Sequence, residues 1–261
     1  VAKITNNTAR KSFTFRTMNE LAGFSIPVFV LHVKRGYEAR ELHMKAFLAR
    51  HGLQARWILD RDKPELDEAF LKHWFKGEMQ GVSAASSCAA KHLLAWQALL
   101  EADAPCALVL EDDIVAVHNF RAALIGLIDE AKERELLLNK AMVLSLENSG
   151  LKFVPKQQRV AGIRIYEHTE TRCAGAYLIS RKAAEHFVHQ AETEGIHLPV
   201  DWWMNTLFPE PVKVYWSFPT LAEQGSHNGL FDSSIDQKKG GWFRRISWQL
   251  QRWFKERFRS R

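Results

Sequence analysis

The five residues Cys106–Leu110 (CALVL) are apolar without exception and lead directly into Glu111-Asp112-Asp113. A strand with one wet face alternates polar and apolar residues, whereas an unbroken apolar run of strand length needs a layer of structure on each face. That requirement points to a sheet sandwiched between helices. It also places three carboxylates at the carboxyl end of a buried strand, where open α/β sheets bind their ligands.

The flanking sequence supplies the helices. Residues 88–102 are rich in Ala and Leu and stop at Asp103-Ala104-Pro105, where proline blocks continuation. Upstream, Ile26–Val33 predicts a strand and Tyr37–His51 a helix with Leu42, Ala46, Phe47 and Ala49 as its apolar positions. Ala55–Leu59 predicts a short strand, and Pro64–Phe75 a helix opened by proline and acidic residues. Downstream, helices are expected over Phe120–Leu138 and Arg181–Glu194, and strands over Ala141–Leu146, Gly162–Tyr166 and Ala176–Ile179. Glu147–Arg159 reads as a loop. The alternation predicts an α/β fold with a Rossmann-like, mainly parallel sheet flanked by helices. Residues 1–24 read as a peripheral segment of a body spanning 1–237.

A chain of 261 residues with 46% hydrophobic and 25% charged residues is long enough for one such domain and an appendage. The three cysteines, Cys88, Cys106 and Cys173, have no CxxC spacing, which supports neither a disulfide framework nor a zinc cluster and suits a reducing cytosol. No run approaches the roughly 20 apolar residues of a membrane span. Of the net charge of +6, residues 238–261 carry +8 and leave −2 for the body.

The acidic triplet is the sharpest local signal. Carboxylate oxygens at such a place suit Mn²⁺ or Mg²⁺, which would bridge the protein to a diphosphate. The same triplet equally fits the acidic start of a helix.

Four segments in register carry a resemblance. Ser87–Ile114, Thr171–Lys182 (TRCAGAYLISRK), Leu198–Met204 (LPVDWWM) and Phe218–Gln224 (FPTLAEQ) resemble, in that order, the central E-D-D motif, the A-Y-x-I-S-R-K segment, the P-x-D motif and the late P-x-x-x-x-Q of glycosyltransferase family 25. His32-Val33-Lys34-Arg35 is similar to that family's opening N-L-D-R. The resemblance implies a GT-A-type fold, a UDP-hexose donor such as UDP-galactose, Mn²⁺ or Mg²⁺, inversion at the anomeric carbon, and a lipopolysaccharide or lipooligosaccharide acceptor. It makes Glu111 and Asp113 the metal and diphosphate pair, puts Asp112 nearer the ribose, and makes Asp201 the general base, with Trp202 and Trp203 shaping the acceptor pocket. Asp201 also fits the N-cap of a short helix over Trp202–Leu207. His227, in a Gly-bearing loop, stands where a third metal ligand is expected. Arg35, Arg40, His92, Glu147, Gly175 and Gln224 are the remaining donor-binding candidates. For His92 a satisfied core histidine fits as well, and Trp96 reads as core. Lys34, Lys91 and Ala85 depart from the family pattern, which suggests a changed donor or, for the two lysines, recognition of an additional acidic group on donor or acceptor.

Residues 240–261 set Phe243, Ile246, Leu250, Trp253, Phe254 and Phe258 on one helical stripe among arginines. That is the pattern of a basic amphipathic helix at an anionic inner-leaflet surface, with Trp242, Phe243, Arg244, Arg245, Trp253 and Phe254 as its contacts. A packed terminal helix fits the same pattern. A nucleic-acid partner is not expected, because an apolar stripe has no purpose on a phosphate backbone. A peripheral, cytoplasmic enzyme follows, with a metal-dependent nucleotidyl- or phosphotransferase and a noncatalytic binding module as the alternatives.

Overall fold

The computed structural model describes residues 18–232 and 242–259. An eight-stranded sheet is built from β1 (Met18–Leu21), β2 (Phe24–Leu31), β3 (Arg56–Ile58), β4 (Cys106–Glu111), β6 (Met142–Ser145), β7 (Ile165–His168), β8 (Ala176–Ser180) and β9 (Lys213–Ser217). The order across it is β1-β2-β4-β8-β6-β9-β7, with β3 paired to the second half of β2. β2, β3, β4, β6 and β9 run the same way, while β1, β7 and β8 oppose them. The sheet is thus mixed with a parallel majority, and β8 is an antiparallel strand set into its centre.

Alternate residues of each central strand feed two cores, as the continuous apolar run requires. Phe29, Val109, Tyr177 and Ile179 face a layer made by α3 (Ala84–Glu101), α6 (Arg181–Thr193) and α7 (Val200–Asn205). Val28, Leu108, Leu110 and Leu178 face α1 (Glu38–Arg50), α4 (Phe120–Glu133) and the single turn α5 (Leu136–Asn139). Trp96 of α3 is fully buried and stacks on Trp203 of α7 at 6.0 Å between ring centroids. Truncating an aromatic so placed to alanine typically costs about 3–5 kcal/mol.

Several boundaries differ from expectation for local reasons. The apolar face of α1 is Met44, Phe47 and Leu48, whereas Leu42 is exposed. The helix expected over Pro64–Phe75 is a 3-10 turn at Lys63–Glu65 followed by α2 (Glu68–Trp74), because Asp67 accepts from Phe70 N–H and starts a new helix. The helix expected over Phe120–Leu138 breaks at Glu135, which lies in the left-handed region with φ of 54°. The strand near Gly162 begins at Ile165. Residues 18–24 are not peripheral: β1 closes a hairpin on β2 through Ala22 and Gly23, both at positive φ as a two-residue hairpin turn demands. Residues 1–17 and the 237/238 boundary lie outside the described residues.

After the acidic triplet the chain enters β5 (Ile114–Ala116), which pairs antiparallel with β10 (Ala222–Gln224) in a separate two-stranded ribbon. The single turn α8 (Gly225–Asn228) follows β10 at once. The C-terminal helix α9 (Trp242–Phe254) then lies against α8 and ends in a π-helical turn at Lys255–Arg259. Among the described residues no helix is long and apolar enough to cross a membrane.

The Ser180-Arg181-Lys182 segment is structural. Ser180 Oγ caps α6 by accepting from Ala183 N–H and also from Met142 N–H, which locks the helix start to the neighbouring strand. The Arg181 guanidinium donates to Leu99 O, Leu100 O, Ala102 O and Ala104 O at the end of α3, satisfying carbonyls that a helix C-terminus leaves open. Arg181→Ala is expected to lower urea-unfolding stability by about 2–3 kcal/mol, with Arg181→Lys recovering only part of it.

Candidate active site

The carboxyl ends of β2 and β4 open into a cleft of about 630 Å³, lined by residues that include His32, Arg35, Cys88, Glu111 and Asp112. That volume is within the range of small-molecule sites, roughly 300–1,000 Å³. Each carboxylate of the triplet takes a different environment.

Asp112 lines the cleft and is held on both oxygens, by His32 Nδ1 at 2.7 Å and by Arg40 Nη1 at 2.9 Å. Arg40 is buried and also donates to Asp232 O. Its guanidinium is therefore committed to placing Asp112, which leaves the exposed Arg35 as the arginine of this loop that faces the cleft with fewer constraints.

Asp113 is 1% exposed. Its Oδ2 accepts from Ser226 N–H at 2.9 Å, and its carbonyl accepts from Gly225 N–H at 2.7 Å. Oδ1 accepts no hydrogen bond among the described residues. Burial pushes this carboxyl up to about 6, with the neighbouring Glu111 charge adding to the rise. A buried carboxylate with an orphaned oxygen beside a second carboxylate is costly unless a cation compensates. Glu111 and Asp113 thus fit a hard divalent ion such as Mn²⁺ or Mg²⁺.

Glu111 ends β4 and is clamped by distant parts of the chain. Gln224 Nε2 donates to its Oε2 at 2.6 Å, and His92 Nε2 lies 3.3 Å from its Oε1. The register that pairs Gln224 with Ile114 brings the amide back across the triplet. Gly175 makes the approach possible, since a Cβ there would lie 2.7 Å from the Gln224 side chain. Gly175 and Gln224, expected as donor contacts, are both buried and position Glu111.

His92 takes the core position that the sequence also allowed. It is wholly buried, stacked on Tyr177, and takes its orientation from a hydrogen-bond chain. Trp96 Nε1 donates to Tyr177 Oη at 2.9 Å, and Tyr177 Oη is 2.8 Å from His92 Nδ1. Tyr177 donating to Nδ1 leaves the proton on Nε2, where it meets Glu111. The His92 and Trp96 spacing of four on α3 and the place of Tyr177 in the A-Y-x-I-S-R-K segment are the signals available in the sequence; Ser226 carries none.

Asp201 lies in the first turn of α7 behind its N-cap Pro199, so it is not itself the cap. It is partly buried, and burial raises its pKa, with the Glu111 charge adding to the rise and the Trp202 N–H opposing it. Trp202 is 63% exposed and free to meet an acceptor. Trp203 is 2% exposed and belongs to the core with Trp96 and Phe187, which corrects its expected acceptor role. His227 is exposed on α8, one residue past Ser226. Cys88 is held as a thiol by burial and by Glu111, which leaves it without nucleophilic character.

The two lysines that depart from the family pattern are committed internally. Lys91 Nζ, buried, donates to Leu59 O and Asp60 O and pairs with Asp62 at 2.8 Å. Lys34 pairs with Glu65 and Asp60. They brace the loop after β3 at the wall of the cleft.

Glu147 is fully buried behind Glu111, with Oε2 accepting from Ser149 N–H and Oγ–H. This corrects its expected place as a sugar contact. Burial pushes it from 4.5 up to about 7. The folded chain therefore binds more protons than the unfolded one across that interval, and the Glu147 contribution to stability falls as pH rises through it. Glu147→Gln removes the decline. Between pH 4 and pH 8 the wild type is expected to lose on the order of 3 kcal/mol relative to this variant in urea unfolding.

A comparison of the sequence with protein families matches residues 27–204 to glycosyltransferase family 25, described as LPS biosynthesis protein. No curated protein matches the chain. Among solved structures, the inositol-1-phosphate CTP transferase from T. maritima is similar over 88% of this chain and 78% of that one, at 12% identity and a TM-score of 0.33. The last likeness is too slight to bear on activity. The family match spans more than half of the chain, including β4 with its acidic triplet, the α3 histidine and Asp201, and the chain belongs to glycosyltransferase family 25, the lipopolysaccharide biosynthesis glycosyltransferases.

Proposed function

We propose that this family 25 member is an inverting, metal-dependent transferase that moves a hexose, galactose in the first instance, from a UDP-sugar to a lipopolysaccharide or lipooligosaccharide glycan. The observation that carries the reading is the orphaned, buried Oδ1 of Asp113 beside the cleft-lining Glu111, at the end of a strand that opens into a nucleotide-sized cavity. A divalent ion held there would offset the charge that grows on the departing diphosphate. The chain's own residues supply position. Gln224 and His92 fix the Glu111 carboxylate, Ser226 fixes Asp113, and Asp112 is held at the cleft wall by His32 and Arg40. Asp201, with its raised pKa and its place near Glu111, takes the proton from the acceptor hydroxyl, and the exposed Trp202 offers that acceptor an apolar face.

The test is release of UDP across a panel of UDP-sugars with Mn²⁺. Asp113→Asn keeps an oxygen for Ser226 N–H and is expected to abolish Mn²⁺ binding, read by electron paramagnetic resonance, together with turnover. Asp201→Asn is expected to lower kcat by about 10²–10⁴-fold while donor KM changes little. Consumption of no UDP-sugar, with no thermal protection by any of them, sinks the reading.

The C-terminal helix supports a peripheral location for this activity. α9 meets the body through one face, where Trp248 is buried, Arg244 donates to Ser226 O at 2.6 Å and Arg252 pairs with Glu223. The opposite face presents Phe243, 81% exposed, and Leu250, 63% exposed, with Trp253 and Phe254 beside them. The side chains of Trp242 and Phe258 lie outside the described residues. A packed helix would turn its apolar stripe inward, whereas this one turns it out, among Arg245, Lys255 and Arg257, as a helix at an anionic lipid surface does. Leu250→Glu combined with Trp253→Glu is expected to reduce partitioning onto vesicles containing anionic lipid by at least about tenfold, while UDP release in solution persists. Equal partitioning of the variant and wild type would refute the lipid role.

A further inference from the structure

Cys88 and His92 stand one turn apart on α3, a spacing that sets both side chains over the same neighbour. That neighbour is Glu111. Cys88 Sγ is 3.7 Å and His92 Nε2 is 3.3 Å from Glu111 Oε1, and the three ligand atoms lie within 4.8 Å of one another. A tetrahedral zinc ion at ordinary bond lengths holds its sulfur and oxygen ligands about 3.5 Å apart and its nitrogen and oxygen ligands about 3.3 Å apart. The two edges at Glu111 Oε1, 3.7 and 3.3 Å, match those separations to within a few tenths of an ångström. Two ligands are oriented by further partners, as metal ligands commonly are: Tyr177 Oη meets the remote ring nitrogen of His92, and Gln224 holds the remote oxygen of Glu111. Cys88 and Glu111 line the cleft, which gives an ion a path to them.

Glycosyl transfer gives Cys88 no task. We propose that Cys88, His92 and Glu111 form a binding site for a thiophilic divalent cation, with Zn²⁺ the best fit. On binding, the Cys88 thiol releases its proton to solvent. His92 ligates through Nε2 as its Nδ1–H tautomer: the Nε2 proton is lost to solvent and Nδ1 gains one from it. The Tyr177 hydroxyl then accepts from Nδ1–H as well as from Trp96 Nε1–H and turns its own hydrogen away from the ring, and Glu111 Oε1 exchanges its hydrogen bonds for the ion. The lack of CxxC spacing concealed the site, because its ligands come from one helical turn and the end of a separate strand. Glu111 is shared with the Asp113 pair, so Zn²⁺ here opposes Mn²⁺ there.

Zinc titration of the purified full chain, without donor, against a chromophoric chelator tests this independently of the transferase reading. X-ray absorption at the zinc edge reports the ligands. One ion with a single sulfur scatterer at about 2.3 Å is expected, weakened more than about 100-fold in Cys88→Ala and Cys88→Ser, since even loss of an orienting partner costs 10–100-fold. Asp113→Asn is expected to keep Zn²⁺ while losing Mn²⁺. A spectrum without sulfur, or wild-type zinc affinity in whichever Cys88 variant folds, overturns the proposal. So does zinc affinity that falls with Asp113→Asn and not with Cys88, which would place the ion at the acidic pair alone.

Discussion

The hydrogen bond from Gln224 to Glu111 joins residues 113 positions apart, and much of the site depends on it. A glutamate at the tip of a strand has three rotatable bonds and would sample many positions in water. Here one oxygen is taken by an amide and the other faces an imidazole, so the carboxylate is fixed before any ligand arrives. The entropy of ordering it is met during folding, through the β5–β10 ribbon and the close packing at Gly175. Asp113 is treated alike by the next residues of the same return segment. One short ribbon therefore sets both carboxylates.

The buried polar groups around this pair form a graded electrostatic field. Asp112 has two cationic or donor partners, Asp113 one backbone donor, and Glu147 a serine that serves it twice. Arg172, buried near Glu147 and stacked over Trp216, is itself pushed down to about 9 by burial. The protein thus tolerates several ionisable groups in a dry interior, with Asp112 paired on both oxygens and Asp113 and Glu147 each on one. Incomplete pairing leaves room for a cation, and a fully neutralised cluster would not.

Much of this was legible in the residues. The apolar run before the triplet required a two-sided sheet, and the strand with both cores is there. Elements bounded by strong local chemistry, such as Pro105 or the Ala-rich α3, fell close to their expected places. What escaped was whatever tertiary contacts decide. The inward turn of α1 at Met44, the strand β9 between β6 and β7, and the ribbon partner β10 carry little periodicity of their own. The same holds in the site: acidic residues announce themselves, whereas Ser226 acts through a backbone contact with no local signature. The pairing of Lys34 and Lys91 was hidden for the converse reason, since a charge in sequence does not disclose the carboxylates that fold onto it.

The central placement of β8 has a consequence for where this protein can be divided. Because β8 runs against its neighbours, β6 lies beyond it and depends on β9 for its second pairing, although β9 comes late in the chain. A fragment ending with the family-matched segment at residue 204 would leave β6 as a raw apolar edge open to pairing with other chains. It would also lose the return ribbon. The segment by which kinship is recognised and the segment that can exist as a folded body are therefore not the same length.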